Sequence, residues 1–203
     1  MPKKINLGMK GCLVSVAGFV ALCVLAVMHD NCLGPFLESS GHQRCVEQRF
    51  APAIASFASM ADWPYASGSP YLKGRAVPVD LGEPVVDWGL VGEPTTFTPN
   101  HVSQILHDLP KSIVAWKPDQ VGTVILLVWK RDVIGHFPSG DAAYRVLCEV
   151  TVVDVAASAV VGRETFWGGG PPEVKFLTRT RGDIGGTVPD DEIVEWIKAL
   201  PRR

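Results

Sequence analysis

The sequence predicts an α+β fold, an antiparallel β-meander of about four to five strands packed with two short helices, preceded by one transmembrane helix. Three observations carry this. Residues 121–167 hold nearly all the strong strand patterning outside the N-terminal segment, residues 11–28 are an uncharged, mainly apolar run, and the C-terminus carries an amphipathic stripe.

The apolar run contains no charged residue, and its 18 positions reach the lower end of the about 17–25 needed to span a bilayer as a helix. Lys3, Lys4 and Lys10 precede it, and His29 and Asp30 follow. The positive-inside tendency keeps residues 1–10 as a cytoplasmic tail and sends the rest across the membrane. A cleaved signal peptide is the alternative, with Val24 and Ala26 fitting the small-residue pattern, but the run exceeds the usual signal core. Lipidation at Cys23 is disfavoured because Leu22 stands where a small residue is expected. The membrane, through residues 11–28, is thus the first expected partner.

Residues 29–70 read as a stalk. Cys32 and Cys45 would lie in an oxidising compartment, where a bridge between them is one reading and two free thiols the other. Val46, Phe50, Ile54 and Phe57 recur at spacings of three and four, which predicts a short helix over 45–60, with Pro52 near its start or at a kink. Residues 62–70 are linker chemistry, whose Trp63 and Tyr65 are expected to pack back on the domain rather than rest at the membrane.

The extracytoplasmic domain is assigned to 71–203. Its first strand falls at 71–81 and is placed at an edge, because Pro78 cannot donate to a ladder. Residues 82–97 form a loop. Thr98 and Pro99 open a helix that runs to His107 and stops before Pro110. A turn at Lys117, Pro118 and Asp119 leads into the meander. There 123–129 is an apolar strand, Lys130, Arg131 and Asp132 are read as a hairpin loop, and 133–137 is the return strand. Pro138 to Asp141 is turn chemistry, 144–153 alternates with one buried face, 156–158 turns again, and 160–167 is the last strand. Six glycines in 168–186 predict an irregular, mobile stretch, and its Arg181, Gly182 and Asp183 are read as a chance match to an adhesion tripeptide. Pro189 and three acids then start the final helix, where the helix dipole favours negative charge, with Ile193, Ile197 and Leu200 inward and Glu195 and Lys198 to solvent.

Charge excludes one function class. Beyond residue 28 there are 16 basic against 21 acidic residues, a net charge of −5, so no nucleic acid partner is expected. The residues capable of catalysis are Asp80, Asp87, His101, His107, Asp108, His136 and the acidic run Asp190 to Glu192. None stands in a nucleophile, zinc or phosphate-loop motif, and His101 and His107 are too far apart on one helix to share a metal. Cys148 lies on a buried strand face without a base beside it. No catalytic, cofactor or metal residue is therefore assigned. The expected function is a single-pass, membrane-anchored envelope protein whose domain binds or scaffolds a protein partner without catalysis. The alternative is an anchored small-molecule enzyme or hydrolase whose His and Asp residues meet only in three dimensions, or a form secreted after signal-peptide cleavage. A convergence among Asp80, Asp87, His101, His107 and His136 in a concave pocket would favour it.

Overall fold

The computed structural model describes residues 39–81, 100–171 and 184–203. The predicted transmembrane segment, Cys32, the loop over 82–97, the Thr98–Pro99 helix start and the tripeptide at 181–183 lie outside these residues. Among the described residues no helix is long and apolar enough to cross a membrane. The chain divides into two compact units, Met1–Gln48 and Arg49–Arg203. Helix α1 (Ser39–Ala58) runs across that division and continues as a 3-10 turn, Ser59–Asp62. It is longer than predicted, and Pro52 lies exposed within it. Cys45 is disulfide-bonded, to a partner outside the described residues. The predicted stripe of Val46, Phe50, Ile54 and Phe57 is buried, with the Phe50 and Phe57 rings 6.4 Å apart.

The second unit is α+β. Its sheet consists of β1 (Arg75–Asp80), β2 (His101–Val102), β3 (Val121–His136), β4 (Ala142–Asp154), β5 (Ala159–Trp167) and β6 (Ile184–Gly185), in the spatial order β2-β1-β3-β4-β5. Strands β3, β4 and β5 are antiparallel, as short connections require, and the turns fall where the sequence puts them. Gly140, at φ 86°, takes the left-handed position of the first. The sheet as a whole is nevertheless mixed. β1 runs parallel to β3, with Val77 opposite Val124 and Val79 opposite Leu126. β6 runs parallel to β4 in the stretch expected to be irregular.

Four further expectations are corrected. The hairpin loop at Lys130 to Asp132 does not exist, because β3 passes straight through it for 16 residues. The three charges are matched across the ladder instead. Lys130 pairs with Glu149, Asp132 lies 3.6 Å from its cross-strand neighbour Arg145, and Arg131 sits over the Tyr144 ring at 5.0 Å. The helix ending at His107 is replaced by β2 and a 3-10 turn, Gln104–His107. β1 is also not an edge strand. Pro78 is tolerated because its carbonyl accepts from Ser103 N–H at 3.0 Å, which puts its missing donor on the side covered only by the two-residue β2. Residues 64–66 do return to the domain, where Val160 N–H donates to the Pro64 carbonyl and Ala66 N–H to that of Val160. The Tyr65 side chain, however, remains 57% exposed.

Opposite faces of the sheet carry different elements. Phe166 stacks edge-on against Trp196 of α2 (Asp190–Ala199), the ring centroids 5.6 Å apart. The predicted stripe of Ile193, Ile197 and Leu200 is buried there, with Val194 added to it, and Lys198 pairs with Glu195 at the surface. On the other face Arg163 donates to the Ala61 carbonyl of the 3-10 turn after α1 at 3.0 Å.

At one end of the sheet Asp154, 1% exposed, joins separate pieces of chain. Its carboxylate accepts from the Tyr71 hydroxyl at 2.9 Å and the Ala157 N–H at 3.0 Å, with the Lys73 ammonium 3.7 Å away. Thr123, fully buried, accepts from Lys73 N–H and donates to the Lys73 carbonyl. The approach is so close that a Cβ on Gly122 would stand 2.2 Å from that carbonyl oxygen. Burial pushes the Asp154 carboxyl upward, but the Ala157 and Tyr71 hydrogen bonds and the Lys73 charge outweigh it and hold it below the usual carboxylate range. Asp154→Ala is expected to cost about 2–3 kcal/mol, since it orphans buried donors, as read from urea unfolding at pH 7. A carboxyl depressed in the fold stabilises above its unfolded pKa of about 3.9 and loses that contribution as pH falls through the folded value. The gap between wild type and Asp154→Asn should therefore narrow toward pH 3.

Candidate functional site

The second polar cluster lies at the C-terminal end of β1. Asp80 closes that strand, opposite Leu127 of β3 on one side and His101 of β2 on the other. Strand alternation puts Trp129 on the same face as Leu127, and Cys148 stands opposite Trp129 on β4. Trp129 Nε1 donates to Asp80 Oδ1 at 2.9 Å, His101 Nε2 lies 3.3 Å from Oδ2, and the Ser103 hydroxyl bonds the same carboxylate. The side chains of Asp80 and His101 are 16% and 19% exposed, so solvent reaches the cluster.

Burial, the largest influence, raises the Asp80 carboxyl above its ordinary range, against the opposing pull of Trp129, His101 and Ser103. Asp190, the first residue of α2, is raised by burial and then by the like charges of Asp80, Asp108, Asp191 and Glu192. Beneath them Cys148 is fully buried. Burial and the nearby Asp80 and Asp190 carboxylates push its thiol far above its ordinary value, which keeps it a thiol and not a nucleophile.

The arrangement fixes what the cluster can do. Asp80 stands between its partners, accepting from Trp129 on one oxygen with His101 Nε2 3.3 Å from the other. The Ser103 hydroxyl acts on the Asp80 carboxyl, and a serine held by a carboxylate is not in the order that activates a nucleophile. What the geometry supports is a latch that joins β1, β2 and β3. Of the residues named from sequence, Asp80 and His101 meet. Asp190 and Asp108 come within electrostatic reach, while His107 and His136 are exposed elsewhere, and Asp87 lies outside the described residues. Among the described residues no group of three or more His, Cys, Asp or Glu side chains is placed to hold a metal ion. Trp129 and Ser103 were not singled out from sequence. The signal was present in the alternation, which places the indole on the face of Leu127, but its partner is set by the parallel pairing.

A second candidate surface is the part of the β3–β4 ladder beyond Leu127, where β1 ends. At its bulge, between Val133 and Gly135, Val133 is 56% and Ile134 52% exposed. Arg145 lies over the Trp167 ring at 4.4 Å, and that tryptophan is 49% exposed.

The chain matches no protein-family model, no curated protein and no solved structure.

The acid cluster has the opposite pH signature to Asp154. A carboxyl raised in the fold favours folding at low pH, and that contribution is lost as pH rises from the unfolded value of about 3.9 through the folded one. Asp190→Asn should flatten the decline of stability over that window, with a gain at pH 7 below about 1 kcal/mol because the group is partly solvated. Urea midpoints between pH 4 and 7 measure it.

Proposed function

We propose that this protein is a non-catalytic binding module, anchored by residues 11–28 with its N-terminus cytoplasmic, and that the projecting β3–β4 arm is its contact surface. The observation that carries the reading is the arm itself. Among the described residues no strand pairs with 128–136 on the side away from β4. Two β-branched side chains stand more than half exposed at its bulge. Exposed apolar groups gathered on a projecting element mark a place where another surface comes down, and an unpaired strand edge is a template for pairing. Four of the arm's charges are paired, Lys130 with Glu149 and Asp132 with Arg145, which does not suit a phosphate backbone.

The contact between Asp80 and His101 favours a second reading, an acid–base enzyme. It ranks lower because Ser103 and Cys148 are both unactivated and the carboxylate already holds three structural partners.

A photo-crosslinking residue at Ile134, against a control at exposed Glu195, tests the arm in intact cells. A discrete adduct at 134 alone is expected. Val133→Asp with Ile134→Asp should abolish it while moving the urea stability by no more than about 0.5 kcal/mol. Adducts of equal yield at both positions, or none at 134, would refute the reading. The topology has its own measurement. An impermeant thiol reagent should label Cys45 on intact cells only after reduction, and labelling confined to lysed cells would reverse the orientation.

A further inference from the structure

Register places the face of the arm opposite the Asp80 cluster in three rows. Val128, Glu149 and Thr165 form the first, Lys130, Leu147 and Trp167 the second, and Asp132 with Arg145 the third. The row before them, Leu126, Thr151 and Arg163, is where the 3-10 turn after α1 sits. Beyond it the charged side chains are open, with Lys130, Glu149, Asp132 and Arg145 between 37% and 49% exposed. Leu147 is nearly covered, so the half-exposed indole of Trp167 is the main apolar surface of the three rows. The Arg145 guanidinium lies against that ring and is itself held by Asp132.

We infer that these rows bind a short uncharged oligosaccharide, with a sugar ring stacked on Trp167 and its hydroxyls bonded by the four charged side chains. The inference rests on reading the domain as a binding module, but uses a different face of the arm. Charge decides between ligand classes. Two cations and two carboxylates cancel, so a polyanion meets Asp132 and Glu149 and a polycation meets Lys130 and Arg145. An apolar partner would strip water from all four, at a cost of several kcal/mol per ion. A neutral polyol avoids each of these penalties. Every hydroxyl both donates and accepts, so it can sit between a carboxylate and a cation in charge-assisted hydrogen bonds. The faces of its rings present C–H groups to the indole. The platform is also ordered before binding, since the ion pairs and the Arg145 stack fix side chains that would otherwise have to be immobilised. Three strands span about 10 Å, room for more than one ring.

The test uses the full chain in detergent, titrated with uncharged tetramers of β-1,4-linked glucose and of N-acetylglucosamine, with a sulfated oligosaccharide and an oligolysine as charged controls. Indole chemical shifts and calorimetry report binding. Saturable binding of a neutral tetramer is expected with a Kd of about 1 mM or tighter. Trp167→Ala should weaken it about tenfold or more and Trp167→Phe less, with Asp132→Asn intermediate. Circular dichroism of each variant confirms folding. No binding of either neutral tetramer, binding unchanged in Trp167→Ala, or tighter binding of a charged control would each overturn the inference. An adduct at Ile134 that survives such a failure would leave the arm's protein-binding role standing alone.

Discussion

Asp154 is the group on which the sheet unit depends. It lies at the end of the longest ladder, where the β4–β5 turn, the segment entering β1 and the start of β3 come together. Carboxylates are rarely buried this deeply, because desolvation opposes the charged form. Here the charge is retained by donors from both sides of the sequence, a tyrosine 83 positions upstream and a backbone amide three positions downstream. The same end holds the tight pairing of Thr123 with Lys73 that leaves room only for glycine at 122. β1 is delivered to its place beside β3 from this corner, and the rest of the sheet follows from that placement.

Where the sequence was misleading, the reason is that compensation came from elsewhere in the chain. Three successive charges look like a loop because a single strand offers nothing to neutralise them. Their partners, Glu149, Tyr144 and Arg145, lie on the next strand and become visible only in register. The final helix and the β4 and β5 strands were legible because each carries its own pattern, a stripe at spacings of three and four or an alternation of two. The parallel partner of β1 was not. Nothing local distinguishes a strand that pairs with its sequential neighbour from one that pairs across a long connection, and only 121–167 has the short turns that force antiparallel order. Pro78 gave a true constraint, a missing donor, that admits more than one answer. A neighbour of two residues satisfies it as well as solvent does.

The candidate site divides in the same way. Asp80 and His101 could be named as chemically capable, but their meeting depends on β2 pairing beside β1, in a stretch whose proline and polar residues suggested a helix. Asp190 was understood as a helix start, which it is; its second role, as a like-charged neighbour of Asp80, exists only because α2 crosses that end of the sheet. The pairing of a half-buried tryptophan nitrogen with a carboxylate is likewise a product of register, since the two residues are 49 apart in sequence.

The last residues of the chain pair with the segment that leads into the first strand. Leu72 donates to the carbonyl of Pro201 and accepts from the N–H of Arg203, whose guanidinium lies over Tyr71. Closing so long a loop is slow, because its entropy must be met before the contact rewards it. Tyr71, which bonds Asp154, is thus held in part by residues far along the chain from it. Without residues 201–203 the strands would keep their ladders, but the corner that holds Asp154 would lose this clasp.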